Sequence, residues 1–351
     1  MLELILGTVF LIYILFIGQL IYGCNRMKRF SKKEFTPKTS FTIVVPFRNE
    51  KENLPNLLHS ISLLNYPKEL VEIILVDDDS EEVFGVQDLV FSLKVIKNDR
   101  KSNSPKKDAI ETAIQVAKND WIITTDADCL IQKDWLTTFD QYIQENEVEM
   151  VASGVCYVPK SGFLSAFQNL DFLSLQGATI GSFGINQPFM CNGANFAYSK
   201  QFFKRLNGFQ GNETIASGDD VFLLQKAVSV APKKVGFLLA KESIVATKPV
   251  ATWSELFQQR VRWASKSTGY SSSYGKILAV MVFGGNLVWI VSFLLWLTSV
   301  LDQNIFMLFV ALKFLIDFIL IYKTANFFES KLQYVLASSL LYPFFSVSVA
   351  M

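Results

Sequence analysis

Acidic residues fall at three places where carboxylates can do chemistry. Asp77-Asp78-Asp79 closes one β-branched run, Asp126-Ala127-Asp128 closes another, and Asp219-Asp220 precedes a helical stretch. In open α/β sheets, ligands bind outside the carboxyl ends of the strands. Like charges held close together raise each other's pKa, so such a cluster calls for a compensating cation. Mg2+ or Mn2+ takes oxygen ligands and is often held by one or two carboxylates plus substrate phosphates. The chain has no P-loop, no G-x-G-x-x-G and no G-x-S-x-G, so a bound nucleotide would rely on metal and carboxylates. Each run also has a plainer reading. Asp stops strands because it makes turns, and Asp219 and Asp220 would equally cap a helix continuing through Val221 to Ala227.

The elements that must position these acids follow from hydrophobic pattern. Strands are expected at 41–46, 71–76, 93–96 and 121–125, and helices from the spacing of Leu54, Leu57, Leu58, Ile61 and Leu64 and over 109–117. Continuous apolar strands alternating with helices indicate an α/β domain whose mostly parallel sheet is covered on both faces. His59, the one histidine, lies in the first helical pattern and reads as structural. Cys129 reads as packing, and the four cysteines lie far apart without metal-type spacing, which suits a reduced compartment.

Half of the 351 residues are apolar and 19% are charged, with net charge +1. The composition excludes disorder and argues against a nucleic-acid partner, which would need phosphate-neutralising charge. The apolar residues collect at the ends. Leu2–Tyr22 is long enough to cross about 30 Å of hydrocarbon. Arg26, Lys28, Arg29, Lys32 and Lys33 follow it, so it reads as an uncleaved anchor with the next segment cytosolic. Further spans are expected at 277–301, 305–322 and 332–351, giving four crossings. Lys313 and Asp317, four residues apart inside the third, read as a mutually neutralised pair or as a polar lining for an acceptor path. Trp253–Ala264 is amphipathic and suits the membrane interface. The segment 163–183 carries Gln168, Asn169, Asp171 and Gln176 and reads as an interfacial or acceptor-side helix.

In order, the chain presents Val45-Pro-Phe-Arg-Asn-Glu50, Val76-Asp-Asp-Asp-Ser80, Lys106-Lys-Asp-Ala109, Thr125-Asp-Ala-Asp128, Ser217-Gly-Asp-Asp220 and Gln259-Arg-Val-Arg-Trp263. This ordered set resembles the membrane-embedded branch of family 2 glycosyltransferases, which includes cellulose, chitin and hyaluronan synthases and ceramide glucosyltransferase. The resemblance covers about residues 40 to 270. It implies a GT-A fold (Rossmann-like, mostly parallel) and inversion at the anomeric carbon. It also implies roles. Asp78 would contact the nucleotide base, with Glu50 and Lys106 nearby and Pro46 and Arg48 in the same substrate-binding motif. Asp126 would contact nucleotide or sugar, and Asp128 would bind the metal bridging to the diphosphate. Asp220 would be the general base beside Asp219, because the family carries the base at the second acidic position. Arg262 would face the leaving diphosphate, with Gln259 in its motif, and Trp263 would border the acceptor. Asn195, in Asn192-Gly-Ala-Asn195, resembles an acceptor-site segment, although a plain turn fits as well.

The expected organisation is an anchor at 1–23, a cytosolic GT-A domain at 24–250, an interfacial helix at 251–275 and three membrane helices at 276–351. The expected activity is transfer of a sugar from a nucleotide-sugar, UDP-linked, to a lipid-linked or polysaccharide acceptor at the cytosolic face of an inner or plasma membrane, with Mg2+ or Mn2+. The few spans leave little room for a secretion channel in one chain, which favours a lipid acceptor, although an oligomer would supply a channel. A non-catalytic subunit that binds nucleotide-sugar as a sensor or scaffold is the alternative. It predicts loss of Asp128, Asp220 or Arg262, and all three are present. A transporter needs polar membrane helices around a midplane site and leaves the α/β domain unexplained.

Overall fold

The computed structural model describes residues 1–82, 85, 90–212, 215 and 217–351, with the backbone alone at 267 and 268. The helices are α1 (Leu2–Arg26), α2 (Leu54–Ser62), α3 (Pro105–Val116), α4 (Trp135–Asn146), α5 (Phe163–Gly184), α6 (Lys200–Arg205), α7 (Asp219–Val230), α8 (Trp253–Ser265), α9 (Ser273–Leu297), α10 (Gln303–Phe328) and α11 (Val335–Ala350). The strands are β1 (Phe41–Phe47), β2 (Val71–Asp77), β3 (Ser92–Lys97), β4 (Trp121–Thr124), β5 (Met150–Ser153), β6 (Val155–Tyr157), β7 (Phe196–Ser199), β8 (Val235–Leu238) and β9 (Val245–Thr247). Two compact units result. One comprises Lys28–Val158 and Met190–Lys248, the other Met1–Met27, Pro159–Phe189 and Pro249–Met351.

The first unit is built on a seven-stranded sheet of order β3-β2-β1-β4-β7-β5-β8. Its neighbours are parallel except where β7 pairs antiparallel with β4 and with β5. β1 and β2 run in register from Phe41 opposite Val71 to Phe47 opposite Asp77, and β1 also pairs with β4 from Phe41 opposite Trp121 to Val44 opposite Thr124. These registers bring the carboxyl ends of β1, β2 and β4 to one edge. Ile43, Val44 and Val45 of β1 and Ile73, Ile74 and Leu75 of β2 are all fully buried. Burial on both faces explains why these strands read as continuous apolar runs rather than alternating ones. Leu54, Leu57 and Ile61 of α2 and Ala109, Ile110 and Ala113 of α3 bury one stripe each. α3 starts earlier than the expected 109, with Pro105 in its first turn, where a missing N–H costs nothing.

The second unit is helical. Among the described residues, three helices are long and apolar enough to cross a membrane: α1, α9 and α10. The expected fourth span, 332–351, is helical over Val335–Ala350, 16 residues. That is about 24 Å at 1.5 Å per residue, short of the roughly 30 Å of hydrocarbon. α5, expected within the 24–250 domain, clusters instead with the apolar helices and is buried along most of its length. It meets α1 backbone to backbone: a Cβ added at Gly23 would stand 2.0 Å from the Gly181 carbonyl oxygen, and one at Gly184 would stand 1.9 Å from that of Gly23. Small residues permit such close helix contacts in membranes. The Lys313–Asp317 pair within α10 is formed, Nζ to Oδ2 at 2.6 Å, with Lys313 only 4% exposed. The Tyr13 hydroxyl of α1 donates to the other Asp317 oxygen. Pairing is what makes such charges tolerable in an apolar helical unit.

Candidate active site

The sheet edge where β4 ends collects charged groups from two helices and a loop. Thr124, the last residue of β4, donates its hydroxyl to the Gly193 carbonyl at 2.6 Å, which fixes the 193–195 turn beside the strand. Asp126 follows β4 and accepts a 2.6 Å hydrogen bond from Lys106 Nζ, in the first turn of α3. The same Nζ lies 3.6 Å from Asp219 Oδ2. Asp219 and Asp220 open α7 directly after Gly218, whose φ of +87° is a conformation that favours glycine. The Gly193 N–H donates to Asp220 Oδ2 at 2.9 Å, and the Val221 N–H donates to Asp220 Oδ1 at 2.7 Å. A Cβ at 193 would stand 2.8 Å from Asp219 Oδ2, so that carboxylate would have to shift to admit any side chain there. Burial works against the Lys106 charge, but Asp126 and Asp219, with Asp220 behind them, outweigh it and raise its pKa. Lys106 is therefore a fixed cation among carboxylates.

Asp128, two residues beyond Asp126, accepts from the Thr247 hydroxyl of β9 at 2.9 Å. Burial first, then the Asp126 charge, push its carboxyl above the ordinary value. Among the described residues no group of three or more His, Cys, Asp or Glu is arranged to hold a metal ion. The donor set present, two carboxylates at one strand end, fits a hard cation that completes its shell with phosphate oxygens and water. Cys129 is buried, as expected of a packing residue. His59 lies exposed in the last turn of α2.

Asp78, just past β2, is held by residues that the sequence reading overlooked. Arg100 donates from Nε to Oδ1 at 2.6 Å and from Nη2 to Oδ2 at 2.8 Å, and Asn98 donates to Oδ1 at 2.6 Å. Burial would raise this carboxyl, but the Arg100 and Asn98 hydrogen bonds and the Arg100 and Arg48 charges hold it below the ordinary range. The available signal was positional. Asn98-Asp-Arg100 follows β3, the strand paired parallel to β2, so its side chains emerge at the same edge. Pro46 pairs opposite Val76 within the sheet, and Arg48 is exposed beyond it. Glu50 accepts from Asn53 Nδ2 at 2.6 Å, and Asn53 in turn accepts from Lys248 Nζ at 2.6 Å. Lys106, expected beside Asp78 and Glu50, makes its ion pairs with Asp126 and Asp219 instead.

Asn195, which resembles an acceptor-site segment or a plain turn in sequence, closes the short 193–195 helical turn. It is 0% exposed. Its amide donates to the carbonyls of Gly154 and Ser243 at 2.7 Å each and accepts from Trp135 Nε1 at 3.0 Å. These bonds use both amide hydrogens inside the protein, so Asn195 ties strands and turns together.

Gln259, Arg262 and Trp263 lie on α8, in the helical unit. A capping box starts this helix, with Thr252 and Glu255 each bonding the other's backbone. Arg262 is exposed. Arg260, which the motif spacing treats as variable, is buried, donates to Gln259 Oε1, and stacks its guanidinium 4.3 Å from the Trp263 ring centroid. Asp171 of α5 pairs with it at 2.5 Å.

Residues 42–206 match the sequence profile of glycosyl transferase family 2. The poly-beta-1,6-N-acetyl-D-glucosamine synthase of Staphylococcus epidermidis is 22% identical over 264 residues, which cover 71% of this chain and 60% of that protein. The chain thus matches less than two thirds of the length of that relative. Glycosyltransferase AglE of Haloferax volcanii is 21% identical over 229 residues, 63% of this chain and 70% of that protein. Among solved structures, mannosyltransferase PcManGT from Pyrobaculum calidifontis, in complex with GDP-Man and Mn2+, superposes with a TM-score of 0.59 at 14% identity, over 98% of this chain and 99% of that one. At that identity the likeness shows the fold: the α/β, mostly parallel GT-A architecture, accompanied here by long apolar helices.

Proposed function

Since residues 42–206 match the profile of glycosyl transferase family 2, we propose that the chain is a membrane-bound, inverting, metal-dependent hexosyltransferase. It takes a sugar from a UDP-linked donor and passes it to an acceptor at the cytosolic membrane face. The observation that carries this reading is the array at the end of β4, where Lys106, Asp126, Asp219, Gly193 and Asp220 are joined by direct contacts.

In the proposed reaction the acceptor hydroxyl oxygen attacks the anomeric carbon, its proton passes to Asp220, and the bond to the nucleoside diphosphate breaks. Asp220 suits the base because the Gly193 and Val221 N–H groups fix the direction of its two oxygens. Lys106 holds the negative charge of Asp126 and Asp219 in place without consuming Asp220. Asp78, kept ionised by Arg100 and Asn98, is assigned to the nucleotide base. Asp128 and Asp126 would hold Mg2+ or Mn2+, which supplies charge stabilisation to the leaving diphosphate. Arg262 is assigned to the leaving group and Trp263 to the acceptor on their motif alone. The likeness to a poly-beta-1,6-N-acetyl-D-glucosamine synthase over 71% of the chain supports an N-acetylhexosamine donor and a growing polysaccharide as acceptor, over a lipid.

The test is UDP release and product formation by purified protein in detergent, with a panel of UDP-sugars, Mn2+ and membrane extract. Asp220→Asn should lower turnover by about 10²- to 10⁴-fold while leaving donor binding intact. Donor binding without turnover by the unaltered protein would instead support a sensor or scaffold.

A further inference from the structure

α5 grips the start, middle and end of the Gln259–Trp263 helix through side chains to which no role has been given. Gln168 donates to the Val250 carbonyl and accepts from the Val250 N–H, both at 3.1 Å, and so fixes the strand of chain entering α8. Phe167 lies against Trp253 with ring centroids 5.2 Å apart. One turn further along α5, Asp171 accepts from Arg260 Nε at 2.5 Å, with both side chains 5% exposed. The next residue, Phe172, lies 6.2 Å from the Trp263 ring. Arg260 then does three things at once. It neutralises Asp171, donates to Gln259 Oε1, and covers the face of Trp263 at 4.3 Å.

We propose that Asp171 and Arg260 are positioning residues, whose buried ion pair sets the side-chain orientation of Gln259 and Trp263 on α8. The inference deepens the reading of the chain as a glycosyltransferase and rests on it for its kinetic arm. The physical case is specific. A guanidinium can serve a carboxylate, an amide oxygen and an aromatic face simultaneously because it is planar, with donors in a fixed fork; an ammonium has no such geometry. A buried ion pair is a costly way to gain stability, since apolar residues of similar volume do as well. Its presence here places one charge where three partners need orienting. Asp171→Asn removes the carboxylate charge that anchors the buried Arg260 Nε, so the guanidinium leaves the Trp263 face and releases Gln259.

The experiment uses the full chain in detergent with UDP-GlcNAc and Mn2+ as the donor probe. Variants are Asp171→Asn, Asp171→Glu, Arg260→Lys, and the doubly neutral Asp171→Asn/Arg260→Gln. Protein labelled with 5-fluorotryptophan, with the Trp263 signal assigned by Trp263→Phe, reports the ring's surroundings without reference to activity. Expected are a roughly tenfold to hundredfold fall in kcat for Asp171→Asn, Arg260→Lys and the double variant. Donor KM should stay within about twofold, the Trp263 fluorine signal should shift, and Asp171→Glu should recover most of the rate. The double variant carries no unpaired buried charge, so it separates positioning from folding. If it is folded, binds donor and turns over within twofold of the unaltered protein, or if it fails to fold, the proposal is overturned. If the unaltered protein itself shows no transfer, the glycosyltransferase reading fails. The fluorine shift in Asp171→Asn then still decides whether the pair orients Trp263, an unmoved signal overturning it.

Discussion

Gly193→Ala probes the site at its tightest point. The added Cβ would stand 2.8 Å from Asp219 Oδ2, 3.4 Å from Asp220 Cβ and 3.5 Å from Lys106 Nζ. Ordinary contact begins near 3.4 Å, so the Asp219 carboxylate must retreat by about 0.6 Å. It can do so, because it is the end of a side chain, so the stability cost should lie at the low end of overpacking, about 1 kcal/mol. The kinetic cost is larger. Asp220 hangs from the Gly193 N–H at 2.9 Å, and Lys106 spans Asp126 and Asp219. A shift of that size in a base and its neighbours should cost tenfold to a hundredfold in kcat, about 1.4 to 2.7 kcal/mol. Donor KM should change by no more than about threefold, since Asp78 and Arg100 lie at a different strand end. The assay is UDP release against donor concentration, alongside thermal unfolding in the same detergent. A kcat within twofold of the unaltered protein, with the alanine in place, would refute the idea that this turn positions the base.

Asn195→Ala should act on stability rather than on donor binding. It takes the Asn195 partner from the buried Trp135 indole N–H and the Ser243 carbonyl, at about 1–3 kcal/mol each, while the Gly154 carbonyl keeps the Val245 N–H. A large drop in the unfolding midpoint with unchanged donor KM is expected. For Asp78, the folded-state carboxyl lies below its ordinary value of 3.8, so its contribution to stability is complete above that pH and is lost as pH falls through the folded value. Unfolding midpoints from pH 6 to 2 should therefore drop below about pH 3.8, and drop less in Arg100→Gln, which starts lower. Gly23→Ala should separate α1 from α5, because its Cβ would lie 2.0 Å from a backbone oxygen that cannot step aside. About 3 kcal/mol, or loss of a monodisperse elution profile, is expected.

Much of this was legible because it depends on local pattern. Phe41–Phe47 and Val71–Asp77 read as buried strands because strands covered on both faces have no polar alternation to hide. The acids at their ends read as a site because parallel strands deliver their carboxyl ends to one edge. The length of Leu2–Arg26 marked a membrane helix by hydropathy alone. What the chain could not disclose locally was which distant groups would meet. Lys106 lies 20 residues from Asp126 in sequence, and its pairing with Asp126 and Asp219 follows from where α3 and α7 begin on the folded sheet. Asp171 and Arg260 are 89 positions apart, and neither residue type nor spacing links them. Asn195 resembled an acceptor-site segment or a plain turn, and the sequence carries no record of burial; only the fold encloses it among Trp135, Gly154 and Ser243. Periodicity and residue type thus determined the elements and the kind of chemistry. Partners, orientation and exposure were decided by tertiary packing, since those depend on which surfaces must be buried together.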